Sequence, residues 1–132
     1  MENGQPSKYY PLRVTLARRQ VAQLDVQIAR LELEQDRWLL RRDAVSMAIA
    51  RFRSDGGLTE DTVPPTDPPE LRKTFGLRLP WDDVLYIREE ILRAHQWGHY
   101  WYDWGVVSVA LRDWLEAGAF WPSAGVHVAR GS

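Results

Sequence analysis

His95, His99 and Asp103 stand at i, i+4 and i+8, so one continuous helix would align them along a single face. Two histidines one helical turn apart are a zinc-ligating spacing. The run His95-Gln96-Trp97-Gly98-His99 lacks the glutamate base of a metalloprotease, however, and Gly98 interrupts the helix. The expectation is no metal and no cofactor, with these histidines as rim or core residues. Other chemistry is equally poorly supplied. Ser108 and Ser123 have no base at a recognisable spacing, and GxxxxGK[ST], GxGxxG and GxSxG are all missing. Asp82-Asp83 and Glu89-Glu90 suit helix-terminal and solvent-facing positions. The chain has no cysteine, which removes thiolate metal sites, disulfides and cysteine nucleophiles. No catalytic residue can be nominated, and the expected protein is not an enzyme.

The chemistry that is present is aromatic. Six of the seven Trp lie between Trp81 and Trp121, and the run HQWGHYWYDW fills positions 95–104. Tyr and Trp are enriched at interfaces, where one end of the ring system is apolar and the other hydrogen-bonds. A base- or sugar-stacking platform and the core of a small domain use the same residues. Trp97, Trp101 and Trp104 are the expected anchors for a protein partner.

Between Pro11 and Gly56 there is neither Pro nor Gly, and residues 12–53 are rich in helix formers. The spacing predicts one long coiled-coil-type helix over residues 12–55, preceded by a tail at 1–11. A heptad frame puts Ala17, Leu24, Leu31, Trp38, Val45 and Phe52 at one seam position. Val14, Val21, Ile28 and Ile49 share the other with Gln35 and Arg42. Val26, Leu33, Leu40 and Met47 form an opposed apolar stripe, so the helix reads as two-faced and buried on both sides by partners. The expected interface residues on it are Val21, Leu24, Ile28, Leu31, Leu33, Trp38 and Leu40.

Residues 56–80 read as a Pro-rich linker or arm, with four prolines in TVPPTDPPE. Within it Phe75, Leu77 and Leu79 alternate with polar or small residues, which suits an edge strand or an arm clipped onto a partner. Residues 81–132 read as a Trp-rich helical module. One helix runs from Asp82 or Asp83 to about His95, a second from about Asp103 to Ala117, and short strands fit at Phe120-Trp121 and Val126–Val128.

The tail VVSVALRDWLEAGAFWPSAGVHVAR, about residues 106–130, resembles the last helix and wing of winged-helix domains of the GntR type. Val107, Ala110, Leu111, Trp114, Gly118 and Phe120 take the places of the recognition-helix core and first wing strand. Gly125, Val128 and Ala129 take the end of the wing. The resemblance implies a small β wing and a DNA-facing set at Ser108, Arg112 and Asp113 in the recognition helix, with Arg130 as a further nucleic-acid contact. Residues 77–132 carry more acidic than basic side chains, which disfavours a DNA-reading module there.

The whole chain has 132 residues, 45% hydrophobic and 27% charged, with a net charge of −1. That is globular composition with no bulk attraction for polyanions or anionic membrane. No apolar run approaches the ~20 residues of a membrane span, and the N-terminus lacks a signal core, so an intracellular, cytoplasmic protein is expected. The combined expectation is a mainly α protein acting as a non-catalytic adaptor or assembly subunit, self- or hetero-oligomeric. The alternative is a DNA-binding regulator dimerised through the long helix.

Overall fold

The computed structural model describes residues 8–121. Strand β1 spans Tyr9–Ala17 and is followed by helices α1 (Arg18–Gln35) and α2 (Arg41–Ser54). Strand β2 spans Arg72–Pro80, preceded by a single 3₁₀ turn, and is followed by α3 (Trp81–His95) and α4 (Asp103–Glu116). The described residues thus comprise a strand–helix–helix unit that occurs twice. The two strands pair antiparallel, Tyr9 opposite Pro80 through Ala17 opposite Arg72, with Arg13 opposite Gly76 at the centre. Equal strand lengths and this centred register relate the two strands by an approximate two-fold axis through the Arg13–Gly76 pair.

The single helix over residues 12–55 is therefore not formed. In its place stand a strand and two helices, for two local reasons. Leu12, Val14 and Leu16 alternate with Arg13 and Thr15, a period of two that favours a half-buried strand. Pro11 is accommodated because a two-stranded ribbon consists of edge strands alone. Asp36, at φ 51°, ends α1 in the left-handed conformation, which Asp tolerates better than most residues. Its amide and that of Arg37 both return to the Glu32 carbonyl, and the Glu32 carboxylate accepts the Leu39 N–H at 3.0 Å. This turn lets α2 fold back beside α1, and no coiled coil projects from the molecule.

One core serves both units. The inward face of the ribbon offers Leu12, Val14, Leu16, Leu77 and Leu79, all buried. Helix α4 packs against α2, β1, α3 and α1 and is buried from Gly105 through Leu111, with Trp114 fully enclosed. Trp114 Nε1 donates to the Phe120 carbonyl at 2.8 Å, which satisfies its one polar side-chain atom. Phe120-Trp121 forms no strand, and residues 126–128 lie outside the described residues.

A buried carboxylate ties the loop after α2 to α3. Glu90 accepts the Leu58 N–H at 2.6 Å and pairs with Arg93 at 2.7 Å, while Arg93 also donates to the Leu58 and Gly56 carbonyls. Gly57 has φ +74°, and a Cβ there would collide with the Glu90 carboxylate and the Tyr86 hydroxyl. Gly57→Ala is expected to destabilise the fold by about 2 kcal/mol or more, read from urea unfolding midpoints. An unchanged midpoint would mean that the loop does not adopt this conformation.

Burial, reinforced by the Glu90 charge, pushes the Tyr86 phenol up to about 12. In the unfolded chain it titrates near 10. Its contribution is complete below about pH 10 and falls as the pH rises towards about 12, because the unfolded state releases the proton first. Tyr86→Phe should lose less stability across that window than the wild type in denaturant titrations at each pH. Equal losses would show that Tyr86 is accessible.

Candidate functional site

The residues expected at a partner interface fall into two groups. Val21, Leu24, Ile28 and Leu31 are buried in the protein's own core, packed by the fold-back of α2 and by α4, and offer no surface to a partner. Trp101 joins them at 6% exposed, and Trp97 and Trp104 are half-buried against the core. Leu33, Trp38 and Leu40 do face solvent, at 86%, 88% and 53% exposed, around the turn between α1 and α2.

The residues implied by the winged-helix resemblance are also separated. Ser108 is buried, its hydroxyl donating to Gln20 Oε1 at 3.0 Å while Gln20 Nε2 donates to the Ser108 carbonyl at 2.7 Å. Arg112 is exposed and leans on the Asp113 carboxylate at 3.3 Å. Arg130 lies outside the described residues. Ser108 therefore lies on the inner wall of the molecule, whereas Arg112 faces solvent.

His95, His99 and Asp103 are not on one helix. Helix α3 ends at His95, Gly98 turns the chain at φ 80°, and Asp103 opens α4. His95 packs edge-on to Tyr100 with ring centroids 4.9 Å apart, and His99 similarly meets Trp97. Among the described residues no group of His, Asp or Glu is arranged to hold a metal ion. A groove of about 550 Å³ runs between α1, residues 63–67 and α4, lined mainly by Gln20, Gln23, Gln27, the prolines and the Arg19–Asp67 ion pair. Of the hydroxyls in its lining, that of Ser108 is taken up by Gln20.

The surface with a distinct chemical character is the outer face of the ribbon. Alternation that turns Leu12, Val14, Leu77 and Leu79 inward turns Pro11, Arg13, Thr15, Thr74, Gly76 and Arg78 outward. Across the strands the outward pairs are Pro11 with Arg78, Arg13 with Gly76, and Thr15 with Thr74, whose hydroxyls are 2.9 Å apart. Neither strand contains an acidic residue, whereas Arg13, Arg72, Lys73 and Arg78 lie within them and Lys8 precedes them. Gly76 leaves open space on this face. Together with Pro11 it floors a shallow depression of about 410 Å³ flanked by Arg13 and Arg78.

The α2 N-terminus extends this surface past the edge of β2. Arg41 sits over the Phe75 ring at 4.7 Å, and Arg42 over the Tyr9 ring at 4.6 Å. Arg41 is held by a bidentate pair to Asp25, at 2.9 and 2.7 Å, and this contact lowers the Asp25 carboxyl and raises Arg41. At the other end of the ribbon Arg72 donates to the Asp67 carbonyl at 2.5 Å and lies over Trp104. Asp83, which follows β2 in the first turn of α3, is turned aside to accept from the Ser46 hydroxyl. Burial raises its carboxyl, with that hydrogen bond opposing.

Net charge by sequence segment hid this surface. Residues 77–132 take in Asp82, Glu89, Asp113 and Glu116 but omit β1, which supplies half of the ribbon. The missed signal is the pair of acid-free alternating stretches, YYPLRVTLA and RKTFGLRLP. Among the described residues no helix is long and apolar enough to cross a membrane. Compared with known proteins, the chain matches no protein-family model, no curated protein and no solved structure.

Proposed function

We propose that the chain is a non-catalytic DNA-binding protein that lays the outer face of its two-stranded ribbon in the major groove of duplex DNA. The observation that carries this reading is the acid-free ribbon whose outward side chains are Arg, Thr, Gly and Pro, backed by a packed helical layer. A two-stranded ribbon fits the major groove of B-form DNA, which is about 12 Å wide. The major groove of duplex RNA is deep and narrow, so it does not admit the ribbon. Cations without competing carboxylates give the phosphate attraction on which duplex binding depends. The overall charge of −1 is compatible with this, because the local field rather than the total steers binding.

Fluorescence anisotropy of a labelled DNA duplex tests the reading. Binding at micromolar protein or below is expected in low salt, weakening steeply with added salt, and with little binding to duplex RNA of the same sequence. Failure to bind DNA in low salt at tens of micromolar protein would overturn it.

A second reading, an assembly or adaptor subunit, draws on one observation, the solvent-facing Leu33, Trp38 and Leu40. It expects Trp38→Ala to leave DNA affinity unchanged while reducing self-association in sedimentation velocity runs. A wild-type chain that sediments as a monomer at every concentration would remove self-assembly from consideration.

A further inference from the structure

The two halves of the ribbon are related by an approximate two-fold axis in backbone but not in side chains. We infer that, as a consequence, this single chain recognises a non-palindromic duplex site, with Arg13 reading a guanine at its centre and Arg78 a guanine to one side. The inference rests on the DNA-binding reading above and deepens it.

The axis passes through the Arg13–Gly76 pair and exchanges Pro11 with Thr74 and Thr15 with Arg78. A symmetric pair of identical subunits would place the same reader at both members of each exchange. Here Arg stands against Gly, Arg against Thr, and Thr against Pro. Arg13 emerges at the centre, opposite a residue with no side chain to block its swing. Arg78 emerges one outward pair along, beside Pro11. Successive outward positions are about 6.7 Å apart along a strand, close to two base steps of about 3.4 Å. The bidentate partner of Arg in the major groove is guanine, through O6 and N7. On the opposite half the readers are the Thr15 and Thr74 hydroxyls, already bonded to each other. Those contact either acceptor or donor edges, and their methyls meet thymine.

The flanking elements differ between the two ends as well. The Tyr9–Pro80 end of the ribbon carries Lys8 and lies beside the α2 start, with Arg42 over Tyr9. The Ala17–Arg72 end lies beside the α4 start, where the first residue is Asp103 and Arg72 is tied to the Asp67 carbonyl and stacked on Trp104. Both ends also carry charges of their own, Arg18 and Arg19 after Ala17 and Asp82 and Asp83 after Pro80, so it is the reading face that sets a single orientation on the duplex.

Selection from a random duplex library by the full chain, and in parallel by Arg13→Ala and Arg78→Ala, tests the inference. The wild type should enrich an asymmetric motif containing two guanine-dependent positions about two base pairs apart. Each variant should lose the preference at one of them, with roughly tenfold weaker binding to the wild-type motif and an unchanged melting temperature. A two-fold symmetric motif would overturn the inference, as would loss of the same position in both variants. Tight salt-dependent binding with no enriched motif would overturn it too, while leaving the DNA-binding reading in place. Absence of duplex binding in low salt would bring down both.

Discussion

Replacing Leu24 and Leu31 together with Asp is expected to unfold the entire chain, not to release a free helix from a folded C-terminal module. Both side chains are essentially fully buried, at 0% and 2% exposed, in a core that also contains α4 and the ribbon. Truncating one such leucine to Ala costs about 2–5 kcal/mol, and introducing a carboxylate adds a desolvation cost on top. Domains of this size have about 5–15 kcal/mol in hand, so the double substitution exceeds it. Circular dichroism should show loss of helix across the molecule, and the near-ultraviolet signal of Trp114 and Trp101 should vanish with it. Survival of a cooperative melt for α3 and α4 in the double variant would show that the two strand–helix–helix units fold independently.

Reversing the charge of both ribbon arginines, as Arg13→Glu with Arg78→Glu, should have the opposite profile. Both side chains are on the exposed face, so stability should stay within about 0.5 kcal/mol of the wild type. Affinity for duplex DNA should fall by about 100-fold or more near 0.1 M salt, because two attractive interactions become repulsive. The slope of log affinity against log salt should shrink by about one for each phosphate that the protein no longer neutralises. Anisotropy titrations at several salt concentrations, with a thermal melt of the same preparation, read both quantities. Undiminished binding by a folded double variant would place the DNA-contacting surface elsewhere, whereas loss of binding together with loss of the melt would implicate the fold.

The helices of the second unit were legible because their signals are local. Val84, Ile87 and Ala94 recur at helical spacing, and Gly118 at φ 99° stops the chain after α4. The alternation of Phe75, Leu77 and Leu79 likewise shows a strand whatever its surroundings. The first unit was harder. Good helix formers from Arg18 onward masked the alternation of Leu12, Val14 and Leu16, and the break at Asp36 carries no Gly or Pro. A left-handed Asp is decided by whether the folded-back helix can be packed, which is a property of the core and not of the turn.

Composition, the absence of cysteine, the lack of catalytic motifs and the period of each apolar pattern were determined by the sequence alone, since each depends on residues close in the chain. Which apolar stripe is core and which is surface was decided by tertiary structure. Leu24 and Leu33 look alike in a helical pattern, yet one is enclosed and the other is 86% exposed. The basic face exists for the same reason. Arg13 and Arg78 are 65 positions apart in the chain, and pairing of β1 with β2 alone places them in adjacent outward pairs of one ribbon face. A field is a sum over space, so a count along the chain does not reveal it.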